Sequence, residues 1–100
     1  MKEQVATLFK GLSDENRLMI LELLLTGETC GCTLIDKLTI TQPTMSYHLK
    51  HLTESGLVKA FKEGNWKKHH VNMDRIDQLI AYLEQLKKIK AESKGEIKCV

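Results

Sequence analysis

The stretch TITQPTMSYHLKHLTESG, residues 39–56, decides how this chain is read. Thr41 or Thr39 can cap a helix there, Pro43 fits its first turn, and Gly56 ends it. At 100° per residue, Met45, Leu49 and Leu52 fall within about 60° of one another and form an inward stripe. Gln42 stands at the amino end, Pro43, Tyr47 and Lys50 point away from the stripe, and Thr44 and Ser46 flank it. No carboxylate interrupts the outward face before Glu54. Gln, Ser, Thr and Tyr can reach bases or phosphates, while Lys50 and the helix amides favour phosphate. The candidate nucleic-acid contacts on this helix are therefore Gln42, Thr44, Ser46, Tyr47 and Lys50. His48 lies nearer the apolar side and is expected at the core boundary in a structural role, with His51 more exposed.

Working outward, the segments before and after this helix give it a context. EQVATLFKGL, residues 3–12, spaces Val5, Leu8, Phe9 and Leu12 as a helix does. Ser13 then offers a cap, with Asp14 and Glu15 in the first turn of a second helix that stops at Gly27. Leu18, Leu21, Leu24 and Leu25 predict a wide buried face on it. A short helix over TLIDKL, residues 33–38, precedes the stretch quoted first. After Gly56 the period changes to two. LVKAFKE, the turn Gly64-Asn65 and WKKHHVN read as a β-hairpin over residues 57–72. A last helix begins near Asp74, and residues 91–100 lose periodicity, which predicts one domain over 1–90 and a flexible tail. The expected fold is mainly α with a two-stranded hairpin: a short helix, a turn and a longer helix backed by two earlier ones, then a wing.

Composition narrows the function classes. The chain has 100 residues, 42% hydrophobic and 28% charged, with one proline and six glycines, which favours one small helical domain over disorder or an all-β fold. The longest nearly apolar run, LMILELLL, contains Glu22 and is far too short to cross a membrane. No charged-then-apolar leader opens the sequence, so a cytoplasmic location is expected. A formal charge of +2 neither demands nor excludes nucleic acid, and the placement of the charges matters more. Lys62, Lys67 and Lys68, with Lys59, concentrate positive charge in the hairpin and join the candidate DNA contacts. Against a small thiol enzyme, no phosphate-cradling glycine loop or acid–base constellation accompanies the cysteines. His69 and His70, adjacent on a strand, face opposite ways. No catalytic residue and no organic cofactor are assigned.

The last helix carries Ile76, Leu79, Ile80, Leu83, Leu86 and Ile89 on one stripe, long for so small a core. Covering it with a second copy of the chain supplies apolar area at ~25 cal/mol per Å². A two-fold dimer also presents two reading helices to the half-sites of a palindromic operator, one DNA turn apart. Ile76, Leu79, Ile80, Leu83 and Leu86 are the expected dimer contacts.

The segments LSDENRLMILELL, ETCGCTL, TQPTMSYHLKHLTESGLV and KEGNWKKHHVN resemble, in that order, the arsenical-resistance repressors of the ArsR/SmtB family, over about residues 5–90. The resemblance implies a homodimeric winged-helix repressor that leaves its operator when a toxic metal or metalloid binds. It places the inducer, trivalent arsenic or antimony, on Cys30 and Cys32. Their segment is the counterpart of a family stretch reading Glu-Leu-Cys-Val-Cys-Asp-Leu. Thr29, Gly31 and Thr33 depart from that stretch, and Ile35 stands where the best-known arsenic repressors carry a third cysteine. The third ligand is left open between Cys99, on either protomer, and an external thiol or solvent. No cysteine precedes Cys30, unlike the family's cadmium and lead sensors, although cadmium, lead or thiol oxidation stays the alternative signal. The last helix has Asp74 and Asp77 but no histidine, which argues against the family's zinc site.

Geometry constrains the thiol pair independently. Residues two apart in a regular helix diverge by about 200°, so two such thiols cannot share one ion. In an extended segment they face the same side, and Gly31 eases that departure at a cost to the helix of about 1 kcal/mol. Chelation is thus expected to distort the start of the short helix and, through it, the reading helix.

Overall fold

The computed structural model describes residues 2–27 and 31–93. Five helices and one hairpin follow in the order α1 (Lys2–Leu12), α2 (Glu15–Leu25), α3 (Gly31–Leu38), α4 (Gln42–Ser55), β1 (Val58–Glu63), β2 (Trp66–Val71) and α5 (Met73–Glu92). The helix ends obey their capping chemistry. Thr41 caps α4, its Oγ1 accepting the Thr44 N–H at 3.3 Å, with Pro43 in the first turn and Gly56 closing the helix at φ 90°. Asn72 caps α5 through the Asp74 N–H at 3.2 Å.

Three expectations are corrected here. Asp14, not Ser13, caps α2: its carboxylate accepts the N–H groups of Asn16 and Arg17 at 2.8 and 3.3 Å. The Ser13 hydroxyl instead donates back to the Lys10 carbonyl at 2.8 Å, which engages the end of α1. The buried face of α2 is also narrower than its run of leucines predicts. Ile20, Leu21 and Leu24 are buried, whereas Leu18, Met19 and Leu25 are exposed, because neighbours cover only one side of the helix. At α3 the helix starts at Gly31, two residues earlier than TLIDKL predicts.

The core gathers one residue or more from nearly every element: Leu8 from α1, Ile20 from α2, Leu34 from α3, Met45 and Leu52 from α4, and Leu57 and Val58 at the start of the hairpin are fully buried. Burying each of these side chains contributes roughly 1.5–3 kcal/mol. The inward stripe Met45, Leu49 and Leu52 read from the sequence is buried as expected, and so is His48. Gly11 lets α1 approach the end of α4 closely, since a Cβ there would lie 2.8 Å from both Leu57 Cδ1 and Ser55 Oγ.

The hairpin is antiparallel, with Val58 opposite Val71, Ala60 opposite His69 and Lys62 opposite Lys67. Gly64 takes φ 60° at the first turn position, which the Gly-Asn type II′ turn requires. Between α3 and α4 the chain turns at Thr39. Its φ of 56° is unusual for a β-branched residue, and its N–H donates to the Ile35 carbonyl at 3.0 Å. Among the described residues, no helix is long and apolar enough to cross a membrane.

Candidate nucleic-acid interface

The packing that buries Met45, His48, Leu49 and Leu52 leaves the other side of α4 free. Gln42, Pro43, Ser46, Tyr47 and Lys50 are exposed, and Thr44 is half-buried. Thr44 Oγ1 accepts a hydrogen bond from the Thr41 hydroxyl at 2.9 Å, so the capping residue also orients it. The Tyr47 ring stands edge-on to the rings of His48 and His51, with centroids 5.4 and 4.5 Å away. A large exposed aromatic is thereby held in one direction. His51 is exposed, as its place on the helix predicts.

The hairpin supplies cations beside this surface, but not all on one side. Strand alternation puts Lys62 and Lys67 on the face shared with Ala60 and the buried His69, the face that meets the helices. Lys67 lines a shallow groove of about 330 Å³ against Ser46, Lys50 and Thr53 of α4. Lys62 and Lys67 are direct cross-strand partners. Like charges so placed are destabilising, and an anion lying across them offsets that cost. Lys68 lies on the opposite face, 3.0 Å from Glu63. That outer face also presents Phe61 and Trp66, 49% and 61% exposed, with the Phe61 ring 5.4 Å from His70.

Of the thiols, Cys32 occupies the first turn of α3, while Cys30 and Cys99 lie outside the described residues. On α5, Leu79 is buried within its own protomer and Ile76 is half-buried, leaving Ile80, Leu83, Leu86 and Ile89 45–52% exposed. Sequence reading missed the contacts that orient α4 from behind. Arg17 of α2 reaches His48 Nδ1 at 3.3 Å, and Asp14 lies 3.9 Å from its Nε2. These partners stand 31 and 34 residues away along the chain, where no local periodicity could reveal them.

An α3–turn–α4 unit, a lysine-bearing hairpin beside it and a polar outward face on the second helix define a winged helix-turn-helix module. The model of the bacterial regulatory proteins of the arsR family matches residues 14–60, which run from the cap of α2 into the wing. An HTH-type transcriptional regulator of Methanocaldococcus jannaschii is 44% identical over 85 residues, covering 84% of this chain and 96% of that protein. An arsenical resistance operon repressor of Staphylococcus aureus is 40% identical over 81 residues, covering 81% of this chain and 78% of the repressor. Among solved structures, the homodimeric winged helix-turn-helix DNA-binding domain of a possible ArsR-family regulator from Mycobacterium bovis superposes with a TM-score of 0.70 at 26% identity, covering 97% of this chain and 89% of that one. The chain belongs to the ArsR family, whose members are DNA-binding transcription regulators and not enzymes.

Proposed function

We propose that this protein is a homodimeric repressor whose α4 reads the major groove of a palindromic operator, and which releases DNA when trivalent arsenic or antimony binds Cys30 and Cys32. The observation that carries the proposal is the start of α3 at Gly31, between the two cysteines and one helix before α4. Two soft thiolates suit a thiophilic ion over magnesium or calcium. Their spacing lets them share it only where the backbone is not helical. Occupancy therefore opposes the first turn of α3, and α3 packs directly against α4. The name carried by the Staphylococcus aureus relative supports arsenic as the signal, and the homodimer of the Mycobacterium bovis domain supports pairing.

On α4 the contacts are Gln42, Thr44, Ser46, Tyr47 and Lys50, with Lys62 and Lys67 meeting phosphates from the wing. Ile80, Leu83 and Leu86 face the second protomer. Linkage requires operator and metalloid to weaken each other by the same factor, on the order of 100-fold for a coupling of ~3 kcal/mol. The test is operator release followed by gel shift across an arsenite titration. Release is expected from the wild type and lost in Cys30→Ser and Cys32→Ser. Release that persists in both variants excludes this site, and release by cadmium or an oxidant but not arsenite assigns a different signal to it.

A further inference from the structure

We propose that Arg17 and His48 form a joint that fixes the direction of α4, and with it the protein's preference for its own operator over other DNA. The inference rests on the reading of α4 as the DNA-contacting helix. Arg17 Nε donates to the Gly11 carbonyl at 2.8 Å and Nη2 to the Lys10 carbonyl at 3.4 Å. Both carbonyls belong to the last turn of α1, where no intrahelical partner exists. The same guanidinium places Nη1 3.3 Å from His48 Nδ1. Arginine only donates, so His48 accepts at Nδ1 and carries its proton on Nε2, the side facing Asp14 at 3.9 Å.

One planar group thus spans the end of α1, the first turn of α2 and the middle of α4. His48 is 5% exposed, so the contact is shielded from water. An apolar side chain would fill the same space between helices. What it would lack is a directional bond, which fixes rotation of α4 about its own axis as packing alone does not. That rotation matters on the far side of the helix. Tyr47 stands edge-on to His48 and is 56% exposed on the outward face, so the setting of the imidazole passes to a side chain that meets DNA. Neither Arg17 nor His48 lies on that face. Both are positioning residues, which govern discrimination between sequences more than total affinity.

The experiment first enriches duplexes from a random pool on the wild-type protein. Binding of an enriched duplex and of a scrambled one is then compared by fluorescence anisotropy, with folding checked by circular dichroism at the assay temperature. His48→Leu is expected to lower the preference for the enriched duplex about tenfold, the value of one lost directional bond. Its binding to the scrambled duplex, which depends on phosphate contacts, is expected to stay within about twofold. His48→Asn can present an oxygen where Nδ1 stood and is expected to recover most of the preference. His48→Gln reaches instead toward the position of Nε2 and is expected not to. Full preference in His48→Leu, or equal preference in the Asn and Gln variants, overturns the joint; the second comparison serves even where the Leu variant does not fold. A wild type that enriches no duplex overturns the DNA reading of α4 itself, a failure distinct from either of these.

Discussion

Asp14 is the side chain on which the start of α2 depends. Burial alone would push its carboxyl up, but the N–H groups of Arg17 and Asn16, together with the nearby His48 and Arg17 side chains, more than offset this and hold it below its ordinary value of 3.8. The folded state therefore binds this proton less readily than the unfolded chain does. The stability it contributes is complete above the unfolded value and drains as pH falls through the lower folded one. Urea denaturation between pH 2 and 7 is expected to show Asp14→Asn, which still caps but cannot titrate, losing less stability on acidification than the wild type. Asp14→Ala is expected to cost about 1 kcal/mol at neutral pH. An identical acid limb in the wild type and Asp14→Asn would assign the pH dependence to other carboxylates. At this scale the sequence was only partly legible. Ser13 and Asp14 are both good caps, and their competition is settled by the Lys10 carbonyl, which draws the Ser13 hydroxyl away. The approach of Arg17 to His48 exists only once α2 and α4 are packed.

The elements themselves were written plainly, because the period changes from that of a helix to two at Leu57 and because Thr41, Gly56 and Gly64 punctuate the chain. What the composition of the wing concealed is its sidedness. The alternation that separates His69 from His70 also separates Lys67 from Lys68, so the lysines do not form one patch. Lys67→Ala and Lys62→Ala are each expected to lower the slope of log affinity against log salt by about one. Lys68→Ala, on the outer face and paired with Glu63, is expected to change it by less than half as much. Operator titrations at four salt concentrations decide the matter; equal slopes for the three variants would mean that both faces of the hairpin meet phosphate. The thiol pair is the other feature that sequence showed only in part. Its spacing was legible, but the backbone on which Cys32 stands depends on where α3 begins.

For the molecule as a whole, α5 sets the proportions. The radius of gyration is 17.0 Å and the longest dimension 58 Å, against a radius of about 13 Å for a rounded domain of this length. The helix lies along α1, tied by the Gln78 amide to the Gln4 oxygen at 3.0 Å and by the edge-on rings of Phe9 and Tyr82, and then extends past its neighbours. The apolar stripe was evident from sequence; that only its first turns are covered within one protomer was not, since this depends on how far α1 reaches. Leu83 is 49% exposed in the single chain. Leu83→Glu is accordingly expected to leave helix content unchanged, to give a monomer in sedimentation equilibrium, and to weaken operator binding on the order of 100-fold by removing bivalent attachment. A stable dimer of this variant would place the contact between protomers elsewhere.

The pairing of twin molecules proposed here across the exposed ridge of α5 makes assembly a matter of mass action. While the twins are mostly apart, the number of pairs grows as the square of the number of chains. Halving synthesis then leaves about a quarter of the pairs. Abundance alone, with no second binding site on the DNA, is enough to steepen the response of a promoter under such control.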